Sequence, residues 1–302
     1  MKKCLAIILF VLPFFGLAQW RDTTFWQPSQ QLNKTRINTV AIGGGALAAG
    51  SLTGLYFAWY ADYPQSKFHF VNDNQNWAMM DKVGHATTTY AVGQASYDVL
   101  KWSGLSENKA VWYGGLTGFT YLAIIEVMDG FSEEWGFSPT DFAFNTLGAG
   151  LFITQQKLWK EQRLMLKWSY HATEYPNYRP DLLGSSWAES WLKDYNGQTY
   201  WLSLNLRSFT GDRMAWWPQW LNIAGGYGID GFVSADGSNK GYEDIISQRQ
   251  YYLSFDLDLR RIKVKNDFLR TVLHTISFIK FPAPALEFNQ KNGGTKLYWL
   301  YF

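Results

Sequence analysis

The chain has 302 residues, enough for one large domain or two, and a formal net charge of +2. That balance, with no basic stripe interleaved with aromatics, excludes a nucleic-acid partner. Aromatic residues make up 18 % of the chain, with 16 Trp and 27 Gly against only 17 % charged residues, a profile that suits membrane-interface belts and close helix packing and points to membrane lipid as a partner. A soluble core rich in Trp is the competing reading of the same composition.

Residues 1–18 read as a signal peptide. Lys2 and Lys3 are positive, Leu5 to Phe15 is an apolar run too short for a membrane span, and Gly16-Leu17-Ala18 supplies small residues for cleavage before Gln19. Cys4 is the only cysteine and precedes that site. The exported chain is therefore expected to lack a disulfide, a thiol nucleophile, a cysteine ligand and a lipid-anchoring cysteine.

Residues 19–162 are expected to form a helical, membrane-associated domain with a polar centre. After a polar lead containing Pro28, Ile37 to Ala61 carries no charge and is long enough to cross a bilayer. Within it Gly50-x-x-x-Gly54 has the spacing that admits a neighbouring helix. Tyr63-Pro64 breaks the pattern. A second helix is predicted over Asn76 to Trp102, dotted with Thr87, Thr88, Thr89 and Asp98 and so buried among helices. A third covers Ala110 to Ile125 with Gly114-x-x-x-Gly118, and a fourth Thr140 to Trp159, with Ser138 as N-cap and Pro139 at the first helical position.

Near residue 163 the period changes to two, which opens an antiparallel β domain over 163–302. Leu164, Leu166, Trp168 and Tyr170 alternate with Met165, Lys167, Ser169 and His171; Leu202 and Leu204 alternate with Ser203 and Asn205; Leu253, Phe255 and Leu257 alternate with Ser254, Asp256 and Asp258. Leu221 to Ile229 alternates through glycines, and a last strand runs from Lys296 to Phe302. Asn266 to Thr275 has the pattern of a short amphipathic helix. With Leu202, Leu204, Leu253, Phe255 and Leu257 on one apolar face, replacing any of them by Asp should hurt folding or membrane integration, while Ser203→Asp or Ser254→Asp should be milder. The fold class expected is α+β: an amino-terminal bundle of about four apolar helices, then an antiparallel β-sheet or partial β-barrel.

The chemistry-bearing residues fall in pairs at helical spacing: Asp81 with His85, Glu126 with Asp129, and Asp141 with Asn145. Carboxylates inside apolar helices are costly unless paired or functional. All six are candidate catalytic residues, and His85, Glu126, Asp129 and Asp141 are candidate ligands for a divalent metal ion. The alternative is a hydrogen-bonded network that locks the helices. Gly-x-Ser-x-Gly and Walker patterns do not occur.

The segments Trp77 to His85 (WAMMDKVGH), Glu126 to Phe137 (EVMDGFSEEWGF), Asp141 to Gly148 (DFAFNTLG), Lys193 to Ser203 (KDYNGQTYWLS) and Phe281 to Phe288 (FPAPALEF) resemble the YfiM-like family of exported envelope proteins. The order Asp-Lys-x-x-His, Glu, then Asp-x-x-x-Asn-x-x-Gly is similar to VanZ-like membrane proteins. Neither resemblance implies a reaction. YfiM-like proteins are often called lipoproteins, a label that the position of Cys4 argues against. Together these readings predict an exported cell-envelope protein with the outer membrane as its home, the periplasm or inner membrane being the alternative. Its role is expected to be structural or in assembly with an envelope protein partner, or else that of a metal-dependent hydrolase or transferase acting on a lipid or glycan phosphate.

Overall fold

The computed structural model describes residues 23–61, 63–289 and 294–302. The expected signal peptide, its cleavage site and Cys4 lie outside them. The chain divides into two compact units: the segment up to Asn72 with Val92–Ile153, and Asp73–Ala91 with Thr154–Phe302.

The first unit holds α1 (Lys34–Leu55), the later part of α2 (Met80–Trp102), α3 (Glu107–Gly130) and most of α4 (Pro139–Trp159). Asn33 caps α1 by accepting the Arg36 N–H at 3.0 Å. Ser138 caps α4 as expected, its Oγ accepting the Asp141 N–H at 3.2 Å. Gly114 earns its place: a Cβ there would lie 2.8 Å from the Tyr97 backbone nitrogen, so α2 and α3 touch main chain to side. Gly50 has no described neighbour within 4 Å of such a Cβ, whereas Ser51 beside it accepts the Tyr121 hydroxyl of α3 at 2.9 Å. Residues 63–72 run beside the α3–α4 connection, with bridges Gln65↔Ser132 and Phe70↔Phe137.

The apolar-bundle expectation needs correction. Among the described residues one helix, Glu107–Gly130, is long and apolar enough to cross a membrane by length and composition. The Ile37 to Ala61 stretch is divided between α1, which stops at Leu55, and a π-turn over Tyr56–Tyr60. Its glycines, Asn38 and threonines dilute its hydropathy, as Thr87, Thr88, Thr89 and the charged residues do in α2.

In the second unit, six antiparallel strands follow one another in space as in sequence: β1 (Leu164–Tyr170), β2 (Gln198–Leu204), β3 (Leu221–Asp230), β4 (Gln248–Leu257), β5 (Ala283–Asn289) and β6 (Thr295–Tyr301). Short helices α5 (Pro180–Leu183), α6 (Trp187–Lys193) and α7 (Leu206–Thr210) occupy the early connections, and α8 (Asp267–Thr275), capped by Asn266, precedes β5. The strand β5 was hidden in the sequence because Pro282 and Pro284 speak against a central strand.

The sheet curls hard. Lys167 on β1 reaches Asp256 on β4 at 2.7 Å, and the Thr199 hydroxyl on β2 lies 3.0 Å from that of Tyr301 on β6. Flat strands about 4.8 Å apart would leave those pairs roughly 14 and 19 Å apart at the backbone. The free side of β1 pairs with the segment before β5, through Trp168 N–H to Phe278 O and Lys280 N–H to Trp168 O, both 2.9 Å. The strand order β1 to β6 describes an open sheet, so the barrel alternative reduces to this curl.

The alternation seen in the sequence is present, with the apolar face outward and the polar face inward. Leu202, Leu253 and Phe255 are 46–48 % exposed, whereas Lys167, Ser203, Asn222 and Asp256 are fully buried. The concave side is a polar core: the Ser203 hydroxyl donates to Asp256 at 2.6 Å, Asn222 donates to Ser203 at 2.9 Å, and Asn205 donates to Asn222 at 2.7 Å. Trp201, Tyr252 and Tyr301 fill the rest. Ser203 and Ser254 are therefore interior positions, where burial of a new charge speaks against the milder effect expected of an acid there.

Candidate functional site

Carboxylates of the first unit gather where α3 ends and α4 begins. Glu126, one turn from the end of α3, is buried and its Oε2 accepts the Ser138 N–H at 3.3 Å. The Ser138 hydroxyl in turn accepts the Asp141 N–H. Glu126 thus binds a backbone donor beside the first turn of a 21-residue helix, where the dipole favours negative charge. Asp141 and Asn145 are buried one turn apart on α4. The structure joins Glu126 and Asp141 through one serine.

Asp129 serves a different group. Its Oδ1 accepts the Tyr60 hydroxyl at 2.5 Å, and its carbonyl accepts the Ser132 and Gly136 N–H groups at 3.0 and 2.9 Å. Burial and then the Asp129 charge push the Tyr60 hydroxyl far above its ordinary pKa, so it remains a donor.

In the second unit, Asp81 and His85 lie one turn apart at the start of α2, and His85 is half-buried. The residue between them that sequence reasoning missed is Lys82. It is fully buried, with Nζ 2.8 Å from Asp81 Oδ2 and 2.5 Å from Asp73 Oδ2. A lysine between Asp81 and Val83, on the first turn of an otherwise apolar helix start, was the available signal. The Asp81 carboxylate is in this way committed to an ion pair, and Asp73 joins the set.

Just before α2, Trp77, Ala78 and Met79 adopt left-handed φ values of 49°, 49° and 71°. Such backbone costs about 1–2 kcal/mol per residue and persists only when its surroundings impose it. Here the Trp77 N–H donates to Ala235 O at 2.6 Å, the Tyr227 hydroxyl donates to Ala78 O at 2.5 Å, and Ala78 and Met80 are buried with Tyr200, Ile229 and Phe232. Gly84 follows from the same packing, since a Cβ there would meet the Tyr200 hydroxyl at 2.6 Å. The start of α2 is fixed by the sheet side of its unit.

Chemically, the first unit offers carboxylate ligands at Glu126, Asp129 and Asp141, and the second offers His85 with Asp73 and Asp81, the last two facing a cation. His69 is 3.2 Å from the Ser66 hydroxyl, a local loop contact.

A family model described as "Predicted periplasmic lipoprotein (DUF2279)" matches residues 69–156, under a third of the chain. The matched segment runs from the loop before α2 almost to the end of α4 and includes every candidate residue named above. No curated protein and no solved structure matches the chain. The family likeness supports an exported protein of the cell envelope.

Proposed function

We propose that this protein is a non-enzymatic structural or assembly component of the outer membrane, held there by the convex face of its sheet. The observation that carries the reading is the inverted polarity of that sheet. A soluble sheet packs its leucines and wets its serines; this one buries a Lys–Asp pair, serines and asparagines and turns Leu202, Leu253, Phe255 and Phe288 outward. Outer-membrane strands alternate in the same sense, apolar toward lipid and polar within. The two central strands, β3 and β4, have ten residues each, within the roughly nine to eleven that a tilted strand needs to cross the apolar band. The finer likeness to the YfiM-like family accords with this reading and rests on the segments quoted above.

The test is fractionation of the native host envelope on a density gradient, followed by alkaline extraction. Recovery in outer-membrane fractions resistant to extraction is expected; a protein released to the soluble fraction without detergent overturns the reading.

A second reading has an observation of its own, the buried Glu126 and Asp141 on one N-cap. In it this acidic centre holds a divalent metal and acts on a lipid or glycan phosphate. Stoichiometric zinc, manganese or iron in the native protein, lost in a still-folded Asp141→Asn variant, would favour it over the first.

A further inference from the structure

The first unit contains a pocket of about 220 Å³ that neither the sheet nor the carboxylates at Ser138 account for. Its walls are Tyr56, Tyr60, Tyr63, Met128 and Phe131, with Gln65 among the polar groups at its edge. No lysine or arginine lines it. Two tyrosines are presented together by an uncommon piece of backbone: the Ala61 N–H bonds to Tyr56 O at 2.9 Å, an i to i+5 turn that brings residues four apart nearly into line. The Tyr56 and Tyr60 rings accordingly stack, with centroids 6.4 Å apart and planes 17° from parallel.

A carboxylate stands behind one of these rings. Asp129 accepts the Tyr60 hydroxyl, which adds electron density to that ring, and the exposed Glu133 and Glu134 follow the lining residue Ser132 in sequence. Glu133 is tied to the pocket wall through its N–H to Pro64 O at 3.0 Å. Aromatic faces with acids behind and beside them attract organic cations, because ring quadrupole and carboxylate act with the same sign. An anion would meet no donor cation among the lining residues, and a neutral apolar guest would leave the ring polarised by Asp129 unused.

From this geometry we infer that the Tyr56–Tyr60–Tyr63 pocket binds an organic ammonium group, either free in solution or as the headgroup of a phospholipid. The inference goes beyond the membrane reading of the sheet and does not rest on it, since free choline suffices to test it.

The experiment is ligand-observed NMR on the full chain in detergent, with choline and with 3,3-dimethylbutanol, the carbon isostere that keeps the shape and removes the charge. Saturation transfer to the choline methyl groups is expected, with none to the isostere. Tyr60→Leu should weaken choline binding roughly tenfold, while Tyr60→Phe, which keeps the ring, stays within about twofold. Tyr56→Ala, at a partly exposed ring, gives the same loss should Tyr60→Leu fail to fold. Nanodiscs of phosphatidylcholine against phosphatidylglycerol then separate the sources: retention by the first alone, competed by choline, assigns the headgroup, and choline binding without it assigns the free solute. Absence of choline binding, or equal binding of the isostere, overturns the inference.

Discussion

Both units bury carboxylates, and they do so by different means. In the sheet, Asp256 faces a cation, Lys167, both fully buried and 2.7 Å apart, with Ser203 as a further donor. At the α3–α4 connection, Glu126 accepts a backbone N–H beside a helix start, and Asp141 gives its own N–H to the same cap. A buried ion pair closes its charge account inside the protein, so it belongs to architecture. A carboxylate that accepts a backbone N–H at a helix start meets no neutralising cation in that contact, and active centres also hold carboxylates in this way. The comparison separates a core that explains itself from a centre whose role has to be tested.

The largest effect expected is at the ion pair. Asp256→Ala leaves Lys167 buried without its carboxylate and should cost about 3–5 kcal/mol, whereas the double change Asp256→Leu with Lys167→Met should recover most of it. Denaturant unfolding of the three proteins checks this. A double variant no more stable than Asp256→Ala would mean that the two side chains are not coupled and that the sheet interior is not held as described.

Next comes the outward face. Leu253→Arg should cost about 2–4 kcal/mol in a bilayer, where the new charge meets lipid, and close to nothing in water, where Leu253 is already exposed. Ser203→Asp should be damaging in both, because Ser203 is buried against Asp256. Refolding into vesicles and into detergent-free buffer distinguishes the two positions. Equal cost for Leu253→Arg in both media would remove lipid from the account of the sheet.

Much of this fold was legible. The helix start at Ser138-Pro139, the Asn266 cap of α8 and the period-two runs of β1, β2, β3, β4 and β6 all rest on local chemistry, which a sequence displays. Which face of the sheet looks inward was not legible, because alternation is symmetric: Leu253 and Ser254 carry the same pattern whether solvent lies on one side or the other. The strand β5 was masked by its prolines. In the polar centre, Asp81, Glu126 and Asp141 stood out as acids in apolar helices, but Lys82 and Asp73 did not, since their contact depends on the left-handed turn at Trp77–Met79. Periodicity carries no sign of three consecutive residues with positive φ.

At the α3–α4 connection the effects should be smaller. Ser138→Ala removes the side-chain cap and should cost about 1 kcal/mol, read from the unfolding midpoint. Glu126→Gln keeps an acceptor for the Ser138 N–H and removes the charge, so a purely structural centre predicts a loss smaller than that of Glu126→Ala. If Glu126→Gln instead leaves stability intact and strips a bound metal, the centre is a ligand site and the contrast with the sheet widens.

The smallest effect concerns pH and His171, which follows β1 and packs its ring on Tyr301. Although the residue is exposed at the surface, desolvation of its ring beside Tyr301 holds its pKa below the ordinary value, while Asp194, Asp230 and Glu287 oppose that shift without overcoming it. The native protein therefore keeps this imidazole neutral at pH values where the unfolded chain, with an ordinary pKa near 6.5, begins to take up a proton. Because the unfolded state binds more protons there, its free energy falls relative to the native state as the pH drops, so stability should be complete above about pH 6.5 and decline below it. Unfolding midpoints at neutral and mildly acidic pH should show the decline, and His171→Gln should flatten it. A midpoint that rises on acidification, or a slope unchanged in His171→Gln, would mean that the charged form is welcome beside Asp194, Asp230 and Glu287. This end of the sheet would then resemble the acid-rich helical centre more than the balanced ion pair of Lys167 and Asp256.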